Sequence, residues 1–206
     1  MNFRKWFTRG KSFNSGTYWE SRYAGGRTSG CGSYGKLAEF KAKILNEFVS
    51  LHRIESVVEF GCGDGNQLRF ANYTRYLGFD ISETAVSICR ELFKGDHSKR
   101  FEVISNYQGE TADLALSLDV IYHLVEDEVY QGYMERLFNA ARQFVIIYSN
   151  NHEDDRKNKE HVRFRRFTDW IENNAVGWKL EQIIENPYRE ASTADFYIYV
   201  NQAKTT

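Results

Sequence analysis

The 206-residue sequence predicts an α/β fold built on a doubly wound, mostly parallel sheet. Three observations predict it. Strand-length apolar runs alternate with segments of helical period along most of the chain. The first such strand runs straight into a glycine turn, V-V-E-F-G-C-G-D-G-N over residues 57–66. Two alternating runs, W-K-L-E-Q-I-I and D-F-Y-I-Y-V, close the chain and suit an antiparallel pair.

The stretch up to Gly35 reads as irregular, because six glycines between Gly16 and Gly35 exclude one long helix. Apolar residues at Leu37, Phe40, Ile44, Leu45 and Phe48 then follow a helical period. Val57, Val58 and Phe60 read as a buried parallel strand. A helix is expected from Asn66 to Tyr76, followed by a second strand, Y-L-G-F-D, ending at Asp80. Ser82 is the expected cap of the next helix, with Ala85 and Ile88 opening its apolar face. F-E-V-I and D-L-A-L-S-L-D give the third and fourth strands, the latter over Asp113 to Asp119. V-Y-Q-G-Y-M-E-R-L-F-N-A-A is the next helix, and F-V-I-I-Y-S the fifth strand. A polar insert covers Asn150 to Glu160, and F-T-D-W-I-E-N-N reads as a short helix capped by Thr168.

The length suits one domain with a substantial core. Net charge is −1, so no overall basic field favours nucleic acid. Three scattered cysteines, Cys31, Cys62 and Cys89, make no disulfide framework and suggest a reducing cytoplasm. No Cys or His pattern suggests a metal. The basic, aromatic start M-N-F-R-K-W-F-T-R-G-K lacks the apolar centre of a signal peptide, and no run reaches membrane-span length. Aromatic residues make up 16% of the chain, a surplus that suits a pocket wall as well as a core.

The glycine turn carries the chemistry. Gly61, Gly63 and Gly65 alternate after Glu59, where the backbone itself can approach a ligand. A dinucleotide fingerprint places its third glycine one residue later, where Asn66 stands. The pattern E-x-G-x-G-x-G resembles motif I of the class I S-adenosylmethionine (SAM) methyltransferases. In that family the loop lies under the aminocarboxypropyl and ribose parts of SAM. Asp80 stands where an acid holds a ribose diol, with Ile81 beside it and Cys62 inside the loop. The D-V-x-x-H-L pattern after the fourth strand is similar to that of many small-molecule methyltransferases. It places Asp119 at the methionine end and makes Tyr122 and His123 candidate catalytic residues, His123 as the base. The alternative for His123 is a brace for its loop. The resemblance covers roughly Leu37 to Val200, and implies a Rossmann-like, seven-stranded sheet with an antiparallel last strand and helices on both faces.

The segment Y-W-E-S-R-Y before a glycine-rich stretch resembles the start of a subgroup of these enzymes, in which it folds over the cofactor. Residues 1–36 are therefore expected to form a lid on a SAM-binding domain of residues 37–206. Trp19 and Arg22 would contact the cofactor, Arg22 by pairing its carboxylate, and Tyr18 and Tyr23 would face the acceptor. A mobile terminus is the alternative. If H-V-R-F-R-R-F is extended, His161, Arg163 and Arg165 share one face and would recognise an anionic acceptor, with a substrate-recognition insert at about 150–166. A solvated charge run beside Glu153, Asp154, Asp155 and Glu160 explains the same residues.

The expectation is a cytoplasmic methyltransferase acting on oxygen or nitrogen of a small polar, anionic metabolite such as a sugar, nucleotide-sugar or amino-acid derivative. It uses SAM, needs no metal, engages neither nucleic acid nor membrane, and is a monomer or homodimer. Rival readings are a non-catalytic SAM-binding regulator or scaffold, an NAD-dependent oxidoreductase, and a protein or RNA methyltransferase. How Trp19, Tyr23, Trp170 and Tyr188 meet in space decides the acceptor, and spacing alone does not give that.

Overall fold

The fold was described from a computed structural model, which defines residues 13–153 and 159–204. The basic start of the chain and residues 154–158 of the polar insert, Asp154 and Asp155 among them, lie outside the described residues.

Seven strands form one sheet: β1 (Val57–Phe60), β2 (Tyr76–Asp80), β3 (Lys99–Val103), β4 (Ala112–Leu118), β5 (Ala141–Ser149), β6 (Trp178–Ile184) and β7 (Asp195–Asn201). Their order is 3-2-1-4-5-7-6. The first five run parallel, and β7 lies antiparallel to both β5 and β6. This is the expected sheet. All four residues of β1 and six of the seven in β4 are buried, as in parallel strands covered on both faces.

Helices α2 (Gly35–Leu51) and α3 (Glu83–Leu92) cover one face through Leu45, Phe48, Val86 and Cys89. Helices α4 (Asp127–Asn139) and α5 (Phe167–Asn174) cover the other through Tyr133, Met134, Leu137, Phe167 and Trp170. The strand order reverses between β1 and β4, so a crevice opens at their carboxyl ends, where open α/β sheets bind ligands.

Three local expectations are corrected. The helix expected over Asn66 to Tyr76 is only a 3-10 turn, Gln67–Phe70. The Asn46 side chain on α2 donates to the Phe70 carbonyl and accepts from Asn72 N, and so draws the chain out of helix into an extended run. The segment before Gly25, read as irregular, contains helix α1 (Ser15–Ala24), whose N-cap Asn14 accepts from Thr17 N. Thr168 does not cap α5. It lies in the first turn, and Asn151 Oδ1 accepts from its backbone N–H instead. The Ser82 cap of α3 is as expected, its hydroxyl accepting from Ala85 N.

Candidate active site

Strand β1 ends in a turn whose glycines all adopt the left-handed region, with φ of 88° at Gly61, 58° at Gly63 and 75° at Gly65. The turn is tied to the end of β2. Gly61 N and Cys62 N both donate to the Phe79 carbonyl, at 2.7 and 3.0 Å. Asp80 follows. One carboxylate oxygen accepts from Gly63 N and the other from Ser82 N, each at 2.9 Å. Asp80 thus clamps the glycine loop to the start of α3 and is buried in doing so. Burial pushes its carboxyl up to about 6, against the pull of those backbone N–H groups.

Above this loop lies a cavity of about 450 Å³, within the ~300–1,000 Å³ range of small-ligand sites. The N-terminal segment roofs it, held by three polar anchors. Ser15 bonds Glu126 through both its backbone N–H and its hydroxyl. The Glu20 carboxylate accepts from the Ser82 hydroxyl at 2.6 Å and from the Thr84 hydroxyl, at the N-terminus of α3. Asp64, inside the glycine loop, accepts from Ser29 N at 2.8 Å and Tyr34 Oη at 2.9 Å.

Of the residues picked out from sequence, Trp19, Tyr23, Glu59, Gly61, Cys62, Gly63, Asp80, Ile81, Asp119 and His123 line this cavity. The others lie outside the lining. Gly65 serves packing, since a Cβ there would lie 2.9 Å from Cys89 Sγ on α3. The Arg22 Nε donates to the Thr28 carbonyl at 2.7 Å, and its guanidinium sits 5.5 Å from the Trp19 ring. Tyr18 stacks on His161, centroids 4.6 Å apart. The Tyr122 hydroxyl donates to Asp119 Oδ1 at 3.0 Å.

The expected anion face of His161, Arg163 and Arg165 is replaced by an internal brace. Arg163 donates to the Val125 carbonyl at 3.0 Å and pairs with Asp127 at 2.9 Å. Arg165 donates to the Leu124 and Val125 carbonyls, pairs with the same Asp127 at 3.0 Å, and stacks over Tyr130. With their donors turned onto the loop after β4, the two arginines hold its shape.

His123 stands where that loop meets the cavity. Its Nδ1 is 2.9 Å from the His161 carbonyl, which can only accept, so Nδ1 carries the hydrogen and Nε2 is the basic nitrogen of the neutral ring. Trp19 packs edge-on against the imidazole, centroids 4.8 Å apart. Burial pushes the His123 pKa down to about 4. A depressed histidine contributes stability that is present above its ordinary 6.5 and lost as pH falls towards 4, because only the unfolded chain takes up the proton in that interval.

Sequence reasoning missed Ser29, Asp64, Glu20 and Lys41. Ser29 and Glu20 gave no signal, since their partners are distant in sequence. Asp64 was visible as the only acid inside the glycine loop. Lys41 was visible too, as a lysine on the apolar face of α2, four residues from both Leu37 and Leu45.

Among the described residues no helix is long and apolar enough to cross a membrane, and no cluster of side chains could hold a metal ion. No curated protein matches the chain. Residues 58–145 match the model of a family described as a methyltransferase domain. Several solved structures share the fold. The N-methyltransferase NodS from Bradyrhizobium japonicum WM9, in complex with S-adenosyl-L-homocysteine, aligns with a TM-score of 0.70 at 13% identity, over 92% of this chain and 99% of that one. The magnesium protoporphyrin IX methyltransferase ChlM from Synechocystis PCC 6803, with bound SAM, gives 0.65 at 16% identity, over 93% and 99%. The methyltransferase domain of bacterial CtHen1-C gives 0.60 at 18%, over 78% and 96%. The family match spans the glycine loop, Asp80 and His123, and the sheet ordered 3-2-1-4-5-7-6 is a fold the chain shares with methyltransferases solved with SAM or S-adenosyl-L-homocysteine bound.

Proposed function

We propose that the protein methylates an oxygen or nitrogen atom of a small polar molecule that enters where Trp19 meets His123. The observation that carries this reading is the roofed cavity, in which the glycine loop, the Asp80 carboxylate and the His123 imidazole face one space. The residues fit the cofactor. At Gly61 a Cβ would lie 2.4 Å from Val120 Cγ2, and at Gly63 2.3 Å from Ser29 Oγ, so only glycine leaves the cradle open. Asp80 keeps unused acceptor capacity on both oxygens for a ribose diol.

When bound, SAM supplies a methyl group already activated on a sulfonium, so alignment and exclusion of water are what the protein must add, up to ~7–11 kcal/mol from positioning. Asp80 and the glycine loop orient the cofactor, and α1 keeps water out. His123 Nε2, held ready by the His161 carbonyl, would take the proton that the acceptor atom gives up on methylation. Arg163 and Arg165, engaged with Asp127, lend no support to an anionic acceptor. A net charge of −1 favours a small acceptor over nucleic acid, and the three thiols, Cys31, Cys62 and Cys89, suit a reducing cytoplasm.

Calorimetry with S-adenosylhomocysteine tests the cofactor, and mass spectrometry of a metabolite panel incubated with SAM tests transfer. Binding without transfer to any metabolite would favour a SAM-binding regulator. His123→Ala is expected to lower kcat by about 10²-fold, at the low end of what a positioned base contributes. Because the imidazole is already neutral at pH 7, kcat at saturating cofactor should show no step near pH 6.5. A wild-type profile that halves there would mean that His123 titrates normally and is not the buried base described here.

A further inference from the structure

We propose that Lys41 is a positioning residue for the cofactor, acting through Asp119. The inference rests on the methyltransferase reading and adds to it a residue from outside the cavity. Lys41 is fully buried on α2. Its ammonium is 2.7 Å from Asp119 Oδ2 and lies 5.2 Å from the centre of the Tyr148 ring. Within the described residues only Arg53 and Asp119 adopt positive φ without being glycine, Asp119 at 61°. That backbone is strained for a residue with a Cβ and persists only where its surroundings enforce it.

The surroundings are specific. The second carboxylate oxygen accepts from Tyr122 Oη at 3.0 Å, and Asp119 N donates to the Tyr148 carbonyl at 2.9 Å. From the third side the N-terminal segment presses in at Gly32, where a Cβ would lie 2.7 Å from Oδ2. Asp119 directly follows β4 and forms cavity wall at the place the resemblance gives to the methionine end of SAM. Lys41 therefore fixes, from below, the turn that shapes this wall. It also supplies positive charge beside one carboxylate of the cavity wall, Asp119, and near a second, Glu59. Its field reaches Glu59, whose carboxyl it pulls down against the effect of burial. Without Lys41, Asp119 would be a largely covered carboxylate stripped of its cationic partner, and the turn would relax towards solvent.

The test is a double-mutant cycle read by calorimetry with S-adenosylhomocysteine, with thermal unfolding of every variant alongside. Lys41→Met in the wild-type background should weaken binding at least about ten-fold, whereas in the Asp119→Asn background it should cost less than about two-fold, because its effect runs through Asp119. The double variant should regain the melting temperature that either single variant loses, since it leaves no buried charge alone. If Lys41→Met does not fold, Lys41→Gln replaces it in the same cycle. Equal losses in both backgrounds would show a merely structural lysine and overturn the proposal, as would unchanged binding in Lys41→Met. Wild-type protein that binds no S-adenosylhomocysteine would overturn the methyltransferase reading itself, and with it the ground of this one.

Discussion

Replacing Gly63 with alanine is expected to weaken S-adenosylhomocysteine binding by about 100-fold or more, the scale that a misplacement of about 1 Å produces in a site of this kind. Two effects combine. Gly63 has φ of 58°, where a residue with a Cβ pays roughly 1–2 kcal/mol. The new Cβ would also lie 2.3 Å from Ser29 Oγ and 3.0 Å from the Tyr23 hydroxyl. Ser29 cannot simply rotate away, because its hydroxyl accepts from Asp64 N and is hydrogen-bonded to Tyr23. Relief must come from the glycine loop or from the roof, and either shift moves the Gly63 N–H that holds Asp80. Gly109→Ala is the control: it adds the same type of strain, at φ of 98°, with nothing within 4 Å of the new Cβ. The control should lose melting temperature and keep binding. A Gly63→Ala protein that binds within about three-fold of wild type would refute this account of the loop, since its backbone would then be free to adapt.

The sheet was legible because its signals are local. Val57 to Phe60 is apolar but for Glu59, and the glycines that follow can adopt a backbone other residues avoid, so strand and turn announce themselves without partners. Asp80 was legible for the same reason, as an acid at the end of the next strand. The missing helix after Asn66 was not, because Asn46, on a different element, decides it through two hydrogen bonds. Arg163 and Arg165 mislead in the same way. Their charge pattern suits an anion, and only the fold reveals that Asp127 and the carbonyls of Leu124 and Val125 already occupy their donors. Lys41 shows the reverse case. It stood out against an apolar helical face, but a charge there reads as an exception until Asp119, 78 positions on, comes within 2.7 Å.

Glu59→Gln should make the protein clearly more stable at pH 8 and only slightly more stable at pH 5. Glu59 is buried at the end of β1, accepting from the Tyr76 hydroxyl at 2.7 Å. Burial raises its carboxyl to about 7, outweighing that hydrogen bond and the attraction of Lys41. A carboxyl raised in the folded state contributes stability that is present below its unfolded pKa, here 4.5, and lost as pH rises through about 7. At pH 8 the folded chain therefore carries an ionised group it would hold more cheaply protonated, at a cost of up to about 3 kcal/mol. Glutamine keeps the acceptor for Tyr76 and cannot ionise, so it removes most of that cost, worth roughly 5–10 °C in melting temperature for a domain of this size. Asp80, raised to about 6, adds pH dependence of the same sign to both proteins, and His123 adds the opposite sign below 6.5, so only the difference between variant and wild type isolates Glu59. Thermal unfolding of the pair from pH 5 to pH 9 measures it, and a gap that does not grow with pH would sink the assignment. A destabilising charge beneath a ligand loop is expected where the ligand makes use of it. The sulfonium of SAM is positive and the thioether of S-adenosylhomocysteine is neutral, so Glu59→Gln should also narrow any preference for SAM over its product at pH 8, where the wild-type carboxylate is ionised.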